Sequence, residues 1–273
     1  MYNRGIELIL NGTPIKTKDI TWNIGLNFSK IKNEVTELGK DLDNIQFAGF
    51  TNPGIFAYKN QPYGVIFGSR YKRNNDGKML IDDEGYPIID DQLGVIGNTT
   101  PKWNAGLTTS FSYKGLSLSA VFDMRYGGDV YNLDGHYLDF YGTTKKTEDR
   151  TATKIFDGIR ESDGAVNTTV AKLDQGYYQN NESVVDETGV EDGTYYKLRQ
   201  LSLSYTFNPS LLKKTPFKGL SIAATGRNLW IYAPHYTGSD PEVSLYGTGN
   251  GASFTNFVTP TNRSYNFAIK ATF

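Results

Sequence analysis

The sequence predicts an all-β chain, an unclosed antiparallel segment of a transmembrane β-barrel with about seven crossing strands and long extracellular loops. Three observations predict it. Segments of strand length alternate apolar and polar side chains, the connections between them alternate short and long, and most charged residues in those segments keep to the polar parity. Successive side chains of a strand point to opposite faces, so each segment has one greasy and one wet face. A membrane-crossing strand needs only about 9–11 such residues.

The final segment shows the pattern most plainly. Tyr265, Phe267, Ile269, Ala271 and Phe273 alternate with Asn266, Ala268, Lys270 and Thr272, and the run ends on an aromatic. From the start of the chain, Ile6, Leu8 and Leu10 lie on one face, and Gly12-Thr13-Pro14 reads as a turn opening a short connection, 12–19. Ile20, Trp22, Ile24, Leu26 and Phe28 then alternate with Thr21, Asn23, Gly25, Asn27 and Ser29. A long polar stretch, 30–103, follows. Within it Tyr63 to Tyr71 alternates again, as a strand extending a hairpin beyond the membrane.

Ala105, Leu107, Thr109, Phe111 and Tyr113 form the next apolar face. Lys114-Gly115 leaves room only for a tight reversal. Leu116, Leu118, Ala120, Phe122, Met124 and Tyr126 return. After a second long stretch, 127 to about 193, Leu201, Leu203, Tyr205 and Phe207 alternate with Gln200, Ser202, Ser204 and Thr206. A short connection, 208–219, leads to a less regular strand over Leu220–Tyr232, and a third long loop, 233–263, precedes the last strand. Short reversals on one side and long loops on the other are the order of an outer-membrane barrel. The free edges are expected at Ile6–Asn11 and Ser264–Phe273.

Charge placement agrees with a lipid-facing apolar side, where a Lys or Arg near the midplane costs about 2–4 kcal/mol. Glu7, Asp123, Arg125, Arg227 and Lys270 share the polar parity. Lys197 and Arg199 share parity with Leu201, but toward the outer end, where the penalty fades.

Composition narrows the function. The 273 residues carry 28 Lys+Arg against 29 Asp+Glu, so no basic footprint for nucleic acid exists. With no cysteine, disulfides and thiolate metal sites are excluded, and with two histidines a multi-histidine metal centre is not expected. No phosphate loop, nucleophile elbow or acid–base pair is recognisable, so neither an enzyme nor a cofactor is expected. Met1-Tyr2-Asn3-Arg4-Gly5 is not a secretory signal, which a barrel requires, so Met1 is not expected to begin the natural mature protein.

Several stretches resemble a known family. Gly97-Asn98-Thr99-Thr100-Pro101-Lys102 runs into Gly106-Leu107 and then Phe111-Ser112-Tyr113-Lys114-Gly115. Tyr126-Gly127-Gly128-Asp129-Val130-Tyr131-Asn132 follows, then Gly226-Arg227-Asn228-Leu229 and Tyr236-Thr237-Gly238-Ser239-Asp240-Pro241-Glu242. With Arg4 to Leu8, Trp22 to Phe28 and the last strand, these resemble the C-terminal barrel of SusC/RagA-type TonB-dependent receptors, in family order over essentially the whole chain.

The resemblance implies that residues 1–273 are the C-terminal portion of such a barrel, with the plug domain, TonB box and N-terminal strands absent. It implies a transporter of the Bacteroidetes outer membrane importing oligosaccharides or peptides. Its partners would be a SusD-like surface lipoprotein, the TonB complex through the missing N-terminal region, the barrel-assembly machinery and membrane lipid. It also implies that the terminal aromatic strand, with Phe267, Ile269 and Phe273, is an assembly signal.

Tyr131, Tyr137, Phe140 and Tyr141 stand among Asp129, Asp134 and Asp139 in the second long loop. Aromatic faces stack on sugar rings and carboxylates take their hydroxyls, which makes these the candidate ligand contacts; packing of the loop on itself is the alternative for each. Trp22, Trp103 and Trp230 read as interfacial girdles. Asn74-Asn75-Asp76-Gly77 and Asp82-Asp83-Glu84-Gly85 have the flavour of a calcium loop without its spacing, and polar turns are the stronger reading. Asp240-Pro241-Glu242 reads as turn chemistry. The competing class is a soluble secreted β-rich carbohydrate-binding module, which explains the alternation and the aromatics but not the order of connections.

Overall fold

In a computed structural model describing residues 1–273, the alternating segments pair into one seven-stranded antiparallel sheet whose spatial order is chain order. Its strands are β1 (Tyr2–Lys16), β2 (Ile20–Glu34), β3 (Trp103–Tyr113), β4 (Leu116–Tyr126), β5 (Tyr195–Thr206), β6 (Gly219–Tyr232) and β7 (Ser264–Thr272). The sheet is open, with β1 and β7 as its edges.

Register makes the faces continuous. Leu10 lies opposite Leu26, which lies opposite Leu107, and the row runs on through Phe122 and Leu198 to Trp230. A second apolar row joins Ile15, Trp22, Phe111, Leu118, Leu203, Ala224 and Phe267. The other face carries Asn23, Ser110, Ser119, Ser202, Thr225 and Asn266 in one row. Hydroxyls and amides bond along it: Asn23 donates to Ser110 at 3.2 Å, and Ser202 and Thr225 share a bond of 2.8 Å. A one-residue slip of any strand would exchange the two faces, so the pattern fixes the register.

Nothing covers the apolar face; Phe267 is 83% and Ile269 78% exposed. A soluble sandwich would lay a second sheet there, about 10 Å away. The buried apolar clusters lie instead in the long loops, one around Ile55, Ile66, Tyr131, Leu133 and Phe254, another around Ile81, Phe156, Ala171, Tyr177 and Tyr178.

Three sequence expectations are corrected. Gly12-Thr13-Pro14 is no turn. β1 passes through it with a bulge between Gly12 and Ile15, and the reversal falls at Thr17–Asp19, where the Thr17 hydroxyl accepts from Ile20 N at 2.9 Å. Proline has no N–H to donate, and an edge strand is where that omission is tolerated. Tyr63 to Tyr71 does not prolong a wall hairpin. Because β2 and β3 pair directly, the first long loop folds on itself, and Tyr63–Gly68 sits inside a four-stranded sheet with Asn44–Gly49, Gly54–Tyr58 and Gly94–Asn98. Lastly, β5 carries a bulge between Leu198 and Gln200, which reverses the parity assumed for Lys197 and Arg199.

The girdles fall at the two ends of the strands. Trp103 stacks on Tyr126 (5.4 Å) and Trp230 on Tyr232 (6.2 Å) at the loop end, while Trp22 lies near the turn end and donates to Thr109 at 3.0 Å.

Leu118→Arg should lower membrane-folded stability by about 2–4 kcal/mol, whereas the neighbouring Ser119→Asn stays near wild type. Urea titration of the barrel containing this segment, folded into vesicles, checks this; equal effects at both positions would mean the faces are assigned wrongly. Residues 1–273 expressed alone behind a signal peptide should give no protected, heat-modifiable monomer. Two open edges leave rows of unpaired backbone groups, each costing several kcal/mol in hydrocarbon. A protease-resistant monomer in outer membranes would contradict this.

Candidate functional site

All three long loops leave the same end of the sheet, and the residues that bind them together define the candidate site. At the end of β4, Gly127 (φ +70°) and Gly128 (φ +83°) turn the chain sharply. A Cβ on Gly128 would lie 2.5 Å from Arg125 Nη2 and 2.8 Å from the Thr99 carbonyl, so glycine is required by both space and backbone. Arg125 Nη2 donates to Thr99 O at 2.9 Å and to Ser253 Oγ at 3.4 Å, joining the first and third loops. Asp129 accepts from Asn98 N at 2.7 Å. Burial pushes the Asp129 carboxyl up, and this backbone bond opposes the push.

Asn132 is 1% exposed and uses its whole side chain. Its Oδ1 caps the helix Leu133–Phe140 by accepting from Gly135 N at 3.0 Å, and its Nδ2 donates to Glu191 and to Thr237, each at 3.1 Å. The stretches 97–102, 126–132 and 236–242, far apart in sequence, thus meet in one hydrogen-bonded hub.

A second clamp ties the third loop to the wall. The β5 bulge turns Lys197 and Arg199 toward Asp123, Asp240 and Glu242. Lys197 Nζ donates to Asp240 at 2.7 and 3.0 Å and to Glu242 at 2.6 Å. Arg199 grips Glu242 through both terminal nitrogens, at 2.6 and 2.5 Å, and donates from Nε to Asp123 at 3.0 Å. The Lys197 and Asp240 side chains are 5% and 6% exposed, so neither charge can be left without the other. Asp240-Pro241-Glu242 is therefore more than turn chemistry; the sequence held no sign of it, because the partners lie 43 residues away on a strand whose parity a bulge inverts.

The sequence-predicted ligand contacts divide. Tyr131 is fully buried, with its ring against Phe254 at 4.9 Å and its hydroxyl 3.4 Å from Asp186. That is a correction: the ring has no face left for a ligand, and it packs the hub. Tyr137, Phe140 and Tyr141 come together on one helix and its C-terminal cap. Phe140 is half-buried, whereas Tyr137 and Tyr141 are exposed. Tyr137 stacks on Phe257 (6.0 Å, 21°), and Phe257 N donates to Asp134. Phe257 had no signal in the sequence, since it stands alone in a loop without periodicity. Phe267, Ile269 and Phe273 lie on the exposed edge strand or just beyond it, the Phe273 ring against Phe217 at 5.2 Å. The calcium-like stretches serve turns: Asn74 Oδ1 accepts from Asp76 N and Lys78 N, and Asp82 Oδ1 from Tyr86 N.

No family model matches the chain. Among curated proteins, TonB-dependent receptor P3 of Formosa agariphila is 26% identical over 278 residues, covering 93% of this chain and 26% of that protein. TonB-dependent receptor SusC of Bacteroides thetaiotaomicron is 27% identical over 263 residues, covering 88% of this chain and 24% of that protein. The chain spans about a quarter of the length of the curated relatives it matches. Among solved structures, the RagAB peptide transporter superposes with a TM-score of 0.65 at 20% identity, covering 99% of this chain and 29% of that one, and the same importer in its open-open state gives 0.66. Sheet and loops define the class, a partial antiparallel β-barrel, and the curated proteins it is similar to are named TonB-dependent receptors. Among these relatives is a receptor named SusC. These relatives are receptors and a transporter, not enzymes.

Glu242 gives the clamp a pH dependence. Burial pushes its carboxyl up, but hydrogen bonds from Arg199 and Lys197 outweigh that and hold it at about 2, below the ordinary 4.5. A depressed carboxylate contributes stability in full above its unfolded value and loses it as pH falls toward the folded one. Protease nicking within 233–263 should therefore stay low at pH 5 and rise between about pH 4.5 and 2. Lys197→Met, which strands Asp240, should make the loop susceptible already at pH 7; a loop equally protected in that variant would rule out the clamp.

Proposed function

We propose that this chain forms the C-terminal part of the wall, together with outer loops, of a TonB-dependent importer in an outer membrane. The observation that carries the reading is the uncovered apolar face, in register over seven strands, below a loop layer that holds the molecule's buried core. Likeness to TonB-dependent receptors over about 90% of the chain supports the same reading. The rest of the barrel, a plug and the TonB-coupling segment belong to the remaining three quarters of a receptor of that length.

In this reading the polar face lines the lumen, and the hydrogen-bonded hub forms part of the outer vestibule. Tyr137, Tyr141 and Phe257 offer ring faces to an oligosaccharide or peptide, with Phe140 supporting Tyr141 from beneath. A SusD-like surface lipoprotein delivers the substrate to this end, and TonB powers its passage. The chemistry is non-covalent throughout. The strand Ser264–Thr272 with Phe273 carries the signal for the barrel-assembly machinery, its exposed edge pairing with the first strand of the complete barrel.

Uptake by cells carrying the full-length receptor tests the proposal. Import of a labelled oligosaccharide or oligopeptide should require the receptor, TonB and the lipoprotein, and should fall several-fold in Tyr137→Ala/Phe257→Ala. Uptake that persists without TonB would defeat it. Phe273→Ala should reduce the amount of receptor in the membrane while leaving affinity per inserted molecule unchanged. Quantitative immunoblotting beside ligand binding separates those two quantities.

A further inference from the structure

We propose that Arg4, Lys30 and Lys32, on the lipid-facing side of the β1–β2 hairpin at its loop end, bind the phosphate of an outer-leaflet glycolipid. The inference rests on the reading of the sheet as a membrane wall, and it assigns a partner to a part of that wall which the apolar rows leave unexplained.

The register sets these three cations side by side. Leu8 lies opposite Phe28, and both belong to the apolar face. Further outward with the same parity, Ile6 lies opposite Lys30 and Arg4 opposite Lys32, and no bulge intervenes. The cations therefore share the side of Leu8 and Phe28. Asn33, one residue out of step, turns the other way, and its Oδ1 accepts from Tyr63 N at 2.7 Å in the first loop. Directly opposed side chains have Cβ atoms about 5 Å apart, where like charges repel. Arg4 against Lys32, with Lys30 one step along the same face, is unfavourable unless an anion lies among them.

The protein supplies no such anion. All ion pairs of the structure lie in the long loops or at their junction with the wall, and none includes Arg4, Lys30 or Lys32. Glu34, the next residue on that face, accepts instead from the Tyr2 hydroxyl at 2.9 Å. Exposed, unpaired lysines also occur in the loops, Lys78 among them, but there water surrounds them. These three stand on wall strands, just beyond an aromatic strip on the apolar face. In that strip Phe28 packs on Trp103 at 6.1 Å and Trp103 stacks on Tyr126 at 5.4 Å, crossing β2, β3 and β4. Such a strip marks the membrane interface. Lys30 and Lys32 follow Phe28 by about 7 and 13 Å of strand, which brings them to the headgroups. Lys102 adds a further charge beside the strip, its ammonium 5.3 Å from the centre of the Tyr126 ring.

The chemistry of the three selects phosphate. The Arg4 guanidinium, 5.5 Å from the centre of the Tyr2 ring, presents a planar fork, and the two ammonium groups are mobile point charges. Together they match the oxygens of a phosphate, with charge assisting each hydrogen bond. A zwitterionic headgroup brings a cation of its own, and a neutral sugar leaves the repulsion in place. The long loops leave this end of the sheet, so the leaflet concerned is the outer one.

The test uses the full-length receptor, with diphosphoryl lipid A and its dephosphorylated twin as probes. Titration followed by native mass spectrometry should show the phosphorylated twin bound at least about tenfold tighter. Arg4→Gln/Lys30→Gln/Lys32→Gln should weaken lipid A binding about a hundredfold, the summed effect of three cations at a charged surface. Lys16→Gln/Lys18→Gln/Lys114→Gln, the same loss of charge at the turn end, should leave it unchanged. In phosphatidylcholine vesicles, added lipid A should raise the urea midpoint of the wild-type receptor but not that of the Arg4/Lys30/Lys32 variant. Without lipid A that variant should be at least as stable as wild type, since the repulsion is gone. Equal binding of the twins, a preference that survives in that variant, or equal binding of phosphatidylglycerol overturns the proposal. So does a variant that keeps lipid A but loses a co-purifying acidic protein, which would give the patch to a protein partner. A receptor sensitive to Leu118→Arg but indifferent to the phosphate sinks this inference alone. Equal effects of Leu118→Arg and Ser119→Asn would sink the wall reading itself.

Discussion

The structure depends on one constraint: a strand with one face in hydrocarbon must give every backbone N–H and C=O to its neighbours. Pairing across seven strands does this, and once strands pair in register, the alternation within each becomes two continuous faces. The row from Leu10 to Trp230 and the row from Asn23 to Asn266 are the same fact seen from opposite sides of the sheet. In the proposed barrel lipid covers that face, which then needs no protein layer. The two buried apolar clusters are found away from the wall, around Tyr131 and Ile81.

The wall was legible in the sequence for that reason. A period of two survives without knowledge of partners, and Lys114-Gly115 left only one way for β3 to meet β4. Legibility failed wherever a bulge intervened. Pro14 looked like the end of a strand because its missing donor matters in a central strand, yet β1 is an edge. Lys197 and Arg199 looked lipid-sided because counting by twos from Leu201 ignores the inserted residue. A bulge leaves two residues opposite one on the partner strand, and no local residue preference marks it.

The loop layer was legible only as candidates. Tyr131 and Tyr137 are chemically alike and six residues apart, and the sequence ranks them equally. What separates them is Phe254, which covers the ring of Tyr131, and that pairing depends on a parallel bridge between Asp129–Asn132 and Phe254–Thr255 across the molecule. Asp240 and Glu242 were underestimated for a similar reason. A carboxylate in a turn and a carboxylate in a buried ion pair read identically until the partner is placed.

Wall and loops are joined by interactions of a different physical kind from those inside either. Within the wall the bonds are backbone ladders and neutral hydroxyl contacts, insensitive to charge. At the junction they are charged and partly buried: Arg125 onto Thr99, Lys197 between Asp240 and Glu242, Arg199 between Glu242 and Asp123. Neutral loops hydrogen-bonded only to water would sample many arrangements above a rigid sheet. The buried Lys197–Asp240 pair holds one arrangement, because breaking it strands an ion at a cost of about 3–5 kcal/mol, while the more exposed Arg199 pairs add less. The third loop, which supplies Phe254 to the hub and Phe257 to the exposed ring pair, is thereby fixed to β5. The position of the aromatic surface is set by a bulge in the wall.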